Sequence, residues 1–210
     1  MYINGSLRST VELLGPSDYI GIDIQMGHGV DQICKADDCI NKFGYNRFDV
    51  VICTEVLEHA KNWKKTIHNL KSILKPNGIL IITTRSRGFP YHGYPFDFWR
   101  YEISDMESIF RDFEIKTLEN DNSMPGVFLL AKKPENFIEN KFCALKLYSM
   151  ILEKKSSITA VNIYWIFLNI QLKILGLRSD GYCINRIKYY NRNPLAFFTW
   201  LAKKLKTYFK

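Results

Sequence analysis

An acidic residue at the end of a short β-rich run is the first group with a spacing suited to chemistry. Asp23 lies near the end of the run 18–24, with an isoleucine on each side. At the carboxyl end of a strand in an open α/β sheet, a carboxylate can accept hydrogen bonds from both ribose hydroxyls of a nucleotide. The alternative is a surface or capping aspartate, which the flanking isoleucines disfavour. Asp23 is therefore a candidate for binding a nucleotide-like ligand.

A second group follows the apolar run 48–53, which is typical of a strand covered on both faces. Glu55, Glu58 and His59 come soon after this run. They place carboxylate and imidazole groups at one strand end, and general acid–base chemistry uses this combination. His59 is a candidate base, although a histidine at such a position is also commonly a hydrogen-bonded structural residue.

A third group follows the apolar run 78–84. The segment 91–100 combines His92 with aromatic and polar residues, which is the composition of a loop that covers a substrate. His92 is therefore a second candidate base. The alternative is that these aromatic residues pack on the next helix, whose predicted start at Ser104, with Glu107 three residues later, matches a capping box. The sequence leaves both interpretations open.

Alternating strands and helices must position these three groups. Apolar and β-rich runs predict strands at 18–24, 30–34, 48–53, 78–84, 113–118 and 127–131. Helical periodicity over 63–74, between two buried strands, indicates a parallel sheet with helices on both faces. The last two strands have no helix between them, so we expect an antiparallel pair at one edge. The predicted fold class is a doubly wound α/β sheet.

Two blocks of the sequence resemble class I S-adenosylmethionine-dependent methyltransferases of the type 11 family. They are residues 48–59, FDVVICTEVLEH, and residues 74–81, LKPNGILI, which are similar to the family's fourth and fifth strands. The resemblance covers residues 3–133 and implies a Rossmann-like sheet with S-adenosyl-L-methionine as the cofactor. It also implies the cofactor-binding residues Gly5, Asp23, Ile24, Ala36, Asp37, Cys53 and Glu55.

The resemblance gives these residues separate parts of the cofactor. Asp23 would bind the ribose and Ile24 would pack on the adenine. Residues 34–38, with Ala36 and Asp37, would hold the adenine edge; Asp37 takes the acidic role because Lys35 stands where the family usually has an acid. Residues 53–55, which include Cys53 and Glu55, would line the methionine side.

The chain departs from the family at its start. Residues 1–8 resemble only the tail of the glycine-rich first motif, and Gly5 is the glycine of that tail. The family's central first strand is therefore expected to be missing, either because the true start lies upstream, which we favour, or because this is a decayed copy. We expect a gap, or an abnormal direct pairing, between the strands at 18–24 and 48–53.

The charge of the chain is concentrated in its last third. Residues 1–134 carry 16 Lys/Arg and 17 Asp/Glu, whereas residues 135–210 carry 13 and 4. We therefore predict a methyltransferase domain at 1–134 and a basic helical extension at 135–210. Apolar residues recur at helical spacing in 194–210, as in a helix that lies on an anionic membrane surface. Packing of the same face against the domain is the alternative.

Other classes of protein fit less well. The five cysteines form no Cys-x-x-Cys pair and no histidine stands at metal-ligand spacing, so no metal site is predicted and a cytoplasmic protein is expected. No signal peptide is recognisable, and the apolar stretch 158–177 is too polar for a confident membrane span. Aromatic residues do not alternate with basic ones, so nucleic acid is not favoured as a partner.

The sequence thus predicts methyl transfer to a small-molecule or lipid-linked acceptor, in the cytoplasm or on the inner face of a membrane. A catalytically inactive methyltransferase-like binding or scaffold module is the alternative, which the incomplete first motif favours. A nicotinamide dehydrogenase is a third interpretation, and the terminal antiparallel pair argues against it.

Overall fold

The computed structural model describes residues 6–92, 97–142 and 144–157, all within Met1–Thr159, the first of two compact units of the chain. The helices are α1 (Arg8–Glu12), α2 (Cys39–Phe43), α3 (Trp63–Ile73) and α4 (Ile103–Phe110), with 3₁₀ turns at Ala36–Asp38 and Leu57–His59. The strands are β1 (Ile22–Asp23), β2 (Gln32–Ile33), β3 (Phe48–Thr54), β4 (Leu74–Arg85), β5 (Trp99–Arg100), β6 (Glu114–Asn120), β7 (Gly126–Lys132), β8 (Leu147–Ser149) and β9 (Lys154–Ser156).

Four strands form the main sheet, in the order β3-β4-β7-β6. β3 and β4 are parallel, with Ile52 opposite Ile81. β7 is antiparallel to both β4 and β6. The four strands predicted from residue 48 onward, and the antiparallel pairing of the last two, are therefore confirmed. The parallel β3–β4 pair brings the carboxyl ends of these two strands to the same edge of the sheet.

The first two strands form a separate sheet. β1 and β2 pair in parallel, with Ile22 opposite Gln32. In the part of the chain that the structure describes, no strand joins this pair to β3 by hydrogen bonds, and the gap expected from a missing first strand stays a prediction. Ile33 and Val50, on the strands at either side of the gap, are each about half exposed. β1 is shorter than predicted because it has only β2 as a neighbour.

Helix α3 lies against the main sheet and ends where the sequence predicts. The side chain of Asn62 accepts a hydrogen bond from the Lys65 N–H (3.2 Å) and caps its first turn. Trp63, Ile67 and Leu70 recur at helical spacing and are buried in the core. The packed helix fixes the loop before it, which carries the candidate residues Glu58 and His59.

The N-cap of helix α4 lies two residues before its predicted position. Glu102, not Ser104, is its N-cap, and it forms a capping box with Asp105, whose carboxylate accepts the Glu102 N–H at 3.1 Å. The expected Ser104 and Glu107 box is wrong. An acidic side chain at 102 reaches the same N–H groups and adds a negative charge that the helix N-terminus favours.

The described residues after Pro134, 135–142 and 144–157, do not form the helices expected there. Within 135–142 and 144–157 the structure has no helix, and instead β8 and β9 pair antiparallel with each other and with β5. The helical extension is therefore not confirmed, and the domain boundary after residue 134 stays a prediction. The basic segment 194–210 lies outside the described residues. None of the helices in the described ranges is long and apolar enough to cross a membrane.

Candidate functional site

Glu55 is the first polar residue past the end of β3, and its backbone is strained. Its φ of 55° is uncommon for a residue with a side chain. The Glu55 N–H donates to the carbonyl oxygen of Thr83 on β4 (3.0 Å), and Glu55 Oε1 accepts from Thr83 Oγ1 at 2.9 Å. Its second oxygen forms an ion pair with Arg85. These contacts hold the carboxylate across the carboxyl end of β4.

Glu58 lies in the 3₁₀ turn Leu57–His59 and is completely buried. Its Oε2 accepts a hydrogen bond from Thr84 Oγ1 at 2.9 Å. Its Oε1 has no hydrogen-bond partner in the described structure. The nearest nitrogens are His92 Nε2 at 3.7 Å and His59 Nε2 at 3.9 Å, which are beyond hydrogen-bonding distance. A buried carboxylate oxygen therefore faces two imidazole rings.

The segment 97–101 binds residues 57–60 through three hydrogen bonds. The Phe98 N–H donates to the carbonyl oxygen of Glu58 at 2.8 Å, and Trp99 Nε1 donates to that of Ala60 at 3.0 Å. Tyr101 Oη donates to the carbonyl oxygen of Leu57 at 3.2 Å. The buried aromatic residues of this segment therefore hold in place the turn that carries Glu58 and His59.

His92 is held by a buried ion pair. Its backbone N–H donates to Asp97 Oδ2 at 2.8 Å, and its Nδ1 lies 3.2 Å from the same oxygen. Asp97 forms a bidentate pair with Arg100, and both side chains are fully buried. Arg100 also donates to the carbonyl oxygen of Pro90 at 3.0 Å. This network fixes the loop that carries His92.

The two histidines predicted as candidate bases lie together. The rings of His59 and His92 are edge to face, with centroids 4.7 Å apart. Together with Glu58 they form a group of three potential metal ligands, whose ligand atoms all lie within 4.8 Å of one another. The sequence missed this group because Glu58 and His59 are far from His92 in the chain.

The acidic groups around His92 favour the positively charged form of its ring. Burial alone would lower the pKa of His92, but its contacts with Asp97 and Glu58 raise the pKa of His92 to about 9. Burial works to raise the pKa of Glu58, yet its contact with His92 and the charge of His59 hold the pKa of Glu58 below its ordinary value. Burial and the charge of Glu58 raise the pKa of Glu55.

A cleft of about 350 Å³ opens beside this group. Glu55, Thr83 and Thr84 line one side, and residues 119–123 line another. Thr84 also donates a hydrogen bond to Glu58, which connects the cleft to the group of Glu58, His59 and His92, although none of these three residues lines the cleft itself. The contribution of residues 119–123 was not predicted from the sequence, although a polar loop that joins two antiparallel strands is a signal for it.

The residues implied for the cofactor lie on both sheets. Asp23 is the last residue of β1 and Ile24 follows it, whereas Cys53 lies near the end of β3 and Glu55 directly follows that strand. The Asp23 carboxylate is exposed, with Oδ1 accepting the Gln25 N–H at 3.0 Å, and Ile24 beside it is 57% exposed. An open hydrogen-bond acceptor next to an exposed apolar side chain fits a ribose and its base.

The remaining cofactor candidates differ in their positions. Ala36 and Asp37 lie in the 3₁₀ turn after β2 and are half-buried. The Cys53 side chain is buried in the core, so contact with a ligand would come from its backbone. Gly5 lies outside the described residues. The candidates for binding the ribose and adenine thus lie on or next to the β1–β2 sheet, and the described candidates for the methionine side lie at the end of β3.

Comparisons with known proteins identify the family of the chain. A family model for a methyltransferase domain matches residues 6–121, more than half of the chain. A solved complex of the Haloferax volcanii Trm112 methyltransferase activator and a putative methyltransferase is similar in fold, with a TM-score of 0.50 and 14% identity over 61% of this chain and 77% of that chain.

Curated relatives match a shorter segment. Ubiquinone biosynthesis O-methyltransferase from Rickettsia canadensis (strain McKiel) is 55% identical over 40 residues, or 19% of this chain and 17% of the relative. The enzyme of the same name from Histophilus somni (strain 2336) is 42% identical over 43 residues, or 20% and 18%. The matched segment therefore spans less than a fifth of these relatives. The domain match decides the family: the chain belongs to the methyltransferase domain family, with the Rossmann-like fold of the class I methyltransferases and S-adenosylmethionine as the cofactor.

Proposed function

We propose that this methyltransferase transfers a methyl group from S-adenosylmethionine to a hydroxyl oxygen of a small-molecule acceptor. The observation that carries the proposal is the group formed by Glu58, His59 and His92, which a hydrogen bond from Thr84 to Glu58 connects to the cleft at the carboxyl edge of β3 and β4. The name of the matched curated relatives, O-methyltransferase, supports oxygen as the acceptor atom. We place the acceptor in this cleft.

The cofactor lies, in this proposal, between the ends of β1 and β3. Asp23 binds the ribose hydroxyls and Ile24 packs on the adenine, because they offer an exposed acceptor and an exposed apolar surface side by side. Ala36 and Asp37 hold the adenine edge. Gly5, the Cys53 backbone and Glu55 contribute to the side of the amino-acid tail.

Proton removal is the task of the histidine group. S-adenosylmethionine supplies a methyl group already activated on a sulfonium, so that in-line positioning of the oxygen provides much of the rate. A hydroxyl acceptor must still lose its proton as the new C–O bond forms. His59 and His92 lie next to Glu58, which is hydrogen-bonded to the cleft residue Thr84, and we assign to them the task of making the acceptor oxygen nucleophilic. The Asp97–Arg100 pair keeps His92 in place.

We further propose that the acceptor is linked to a lipid and that the chain meets it at a membrane. Its support comes from the sequence of 194–210, where Leu195, Phe198, Leu201 and Leu205 recur at helical spacing beside several lysines. A basic amphipathic helix of this kind binds the surface of an anionic membrane. On the inner face of the membrane, the chain would meet acceptors that partition into lipid.

Matched acceptors and variants test the proposal. A phenol, an aniline and a thiophenol of the same ring substitution are each incubated with the full chain and S-adenosylmethionine. The methylated products are identified and quantified by mass spectrometry. We expect methylation of the phenol, with kcat lowered by roughly 10²-fold in His59→Gln and in His92→Gln. His68→Gln is the control, because His68 binds Glu139 away from the cleft.

Three other outcomes of these assays would change the proposal. Preferred methylation of the aniline or the thiophenol contradicts oxygen as the acceptor atom. Tight binding of S-adenosylhomocysteine without turnover of any acceptor in a broad panel supports the inactive binding module instead. Equal turnover by the His59→Gln and wild-type chains removes His59 from the reaction.

A further inference from the structure

Cys34 and Cys39 lie on either side of the 3₁₀ turn Ala36–Asp38, and their thiols share one acceptor. The Sγ atoms of Cys34 and Cys39 lie 3.4 Å and 3.6 Å from the carbonyl oxygen of Lys35. The two thiols are also hydrogen-bonded to each other. Both are free and belong to the buried core. The turn therefore brings two thiols into contact.

Different elements of the fold hold the two cysteines. The Cys34 N–H donates to the carbonyl oxygen of Asp23 at 2.9 Å, which joins Cys34 to the end of β1. Cys39 is the first residue of α2, and the N–H of the next residue, Ile40, donates to Asn69 Oδ1 on α3 at 2.7 Å. Because both backbones are anchored, the two sulfurs stay close together, and reaction between groups held in this way is favoured.

The two thiols differ in access and in ionisation. Cys34 is 7% exposed, whereas Cys39 is fully buried. Burial raises the pKa of Cys34, while the hydrogen bond with Cys39 works to lower it. Burial, together with the contact with Cys34, raises the pKa of Cys39 to about 12. Because the thiolate is the reactive form, Cys34 is the sulfur that a small oxidant attacks first, and Cys39 is placed to react with the product.

We propose that Cys34 and Cys39 are a modification site at which hydrogen peroxide joins them in a reversible disulfide. The Cys34 sulfur attacks one oxygen of the peroxide, the O–O bond breaks, and a sulfenic acid forms as one water leaves. The Cys39 sulfur then attacks the Cys34 sulfur, the S–O bond breaks, and a second water leaves. The two thiols give two protons and two electrons, which the peroxide takes up.

Forming the disulfide changes the turn that carries Ala36 and Asp37. Two bonded sulfurs stand about 2.05 Å apart, closer than two hydrogen-bonded thiols. A disulfide has no S–H group, so the Lys35 carbonyl oxygen loses both thiol donors and keeps the Asp38 N–H, which lies 2.9 Å from it. The backbone of the turn must therefore shift as the sulfurs close.

The consequence for the cofactor rests on the proposed function, whereas formation of the disulfide does not. The proposed function places Ala36 and Asp37 at the adenine edge, and it places Asp23, which accepts the Cys34 N–H, at the ribose. The new bond moves the chain next to both groups. The oxidised chain should therefore bind the cofactor about tenfold more weakly, which is the effect of about one lost hydrogen bond. Methyl transfer would then slow while the oxidant is present.

Trypsin separates the two cysteines, because it cleaves after Lys35, and this makes the disulfide easy to identify. The full chain is treated with hydrogen peroxide under native conditions, its remaining thiols are blocked, and it is digested. We expect peptides 9–35 and 36–42 to be joined, and dithiothreitol to separate them. Peptide mass spectrometry detects the joined pair and the oxidation state of each cysteine.

Single variants locate the bond. Cys34→Ala and Cys39→Ala should lose the joined peptides, whereas Cys53→Ala, which removes a third buried thiol, should keep them. The wild-type chain alone gives the main result, so the test stays decisive if one variant fails to fold. Wild-type chain without the joined peptides, Cys34 recovered only as a sulfinic acid, or a bond from Cys39 to Cys53 instead, overturns the site.

Calorimetry with S-adenosylhomocysteine measures the effect on the cofactor. We expect the oxidised wild-type chain to bind about tenfold more weakly than the reduced chain, and Cys39→Ala to bind equally before and after treatment with peroxide. Linkage requires the reciprocal effect. In a glutathione redox buffer, saturating S-adenosylhomocysteine should therefore shift the ratio of reduced to oxidised wild-type chain about tenfold towards the reduced form.

The two measurements separate the disulfide from the function. Equal affinity of the reduced and oxidised wild-type chains keeps the modification site and overturns its effect on the cofactor. S-adenosylhomocysteine that binds neither form contradicts the cofactor placement of the proposed function, and the joined peptides still establish the disulfide. A tenfold difference that is also present in treated Cys39→Ala assigns the effect to other oxidised residues and overturns the role of this pair.

Discussion

Asp97 and Arg100 form a fully buried, bidentate ion pair next to the histidine cluster. The pair joins two parts of the loop between β4 and α4, because Asp97 also accepts the backbone N–H of His92 and Arg100 donates to the carbonyl oxygen of Pro90. The position of His92 therefore depends on two charged groups that do not touch the cleft themselves.

Asp97→Asn tests this dependence. Removing the carboxylate leaves Arg100 buried without its counter-charge, so we expect a loss of about 3 kcal/mol in the free energy of unfolding. Urea denaturation of the full chain measures it. Asp49→Asn is the matched control: Asp49 pairs with Lys75 at the surface, and its loss should cost less than about 1 kcal/mol. Equal effects of the two variants would show that the buried pair does not hold the loop.

Asp23→Ala tests the cofactor assignment. We expect the affinity for S-adenosylhomocysteine, measured by calorimetry, to fall by about tenfold or more, because two hydrogen bonds from the ribose lose a charged acceptor. Asp18→Ala, in the exposed segment before β1, serves as the control and should bind normally. Unchanged affinity in Asp23→Ala removes Asp23 from the site.

The buried thiols provide a test of the fold around β3. Burial raises the pKa of Cys39 to about 12 and raises that of Cys53 further. Because the thiolate is the reactive form, both should resist iodoacetamide at pH 8 in the folded chain and react after denaturation. Peptide mass spectrometry identifies the labelled sites. Rapid labelling of Cys53 in the native chain would mean that β3 is open where the structure has it packed.

Deletion of residues 194–210 tests the membrane proposal. Each Lys near an anionic surface contributes about 1 kcal/mol, and each buried apolar side chain roughly 1.5–3 kcal/mol at most. We expect the full chain to cosediment with anionic vesicles, less so as salt rises, and not with neutral ones; the deletion should abolish binding and leave the melting temperature unchanged. A lower melting temperature after deletion, with vesicles binding neither form, would make the segment a structural brace.

The sequence was sufficient to predict the main sheet, because the runs at 48–53 and 78–84 are apolar on both faces and only a buried parallel pair fits them. Helix α3 followed from its periodicity, whereas its cap at Asn62 was not predicted. Local signals failed at α4, where Ser104 has the right residue type but Glu102 makes the cap. They also failed at β8, whose strand character depends on pairing with the distant residues Trp99 and Arg100.

The site was predictable only in part for the same reason. His59 and His92 were recognised separately, as polar residues after buried strands. Their contact, and the burial of Glu58 between them, depend on the segment 97–101 binding the turn at residues 57–60. No spacing in the sequence reports a contact between loops that follow different strands, so the cluster of Glu58, His59 and His92 was not predicted.

Transfer of an isotopically labelled methyl group tests whether the chain methylates a hydroxyl oxygen. The full chain is incubated with S-adenosylmethionine carrying a ¹³C-labelled methyl group and with a phenolic acceptor, and the product is analysed by ¹³C NMR. We expect one labelled methoxy carbon for each molecule of S-adenosylhomocysteine formed, with the signal lost in His59→Gln and retained in His68→Gln. A label that appears on nitrogen or carbon, or that stays on the cofactor with every hydroxyl acceptor, would contradict it.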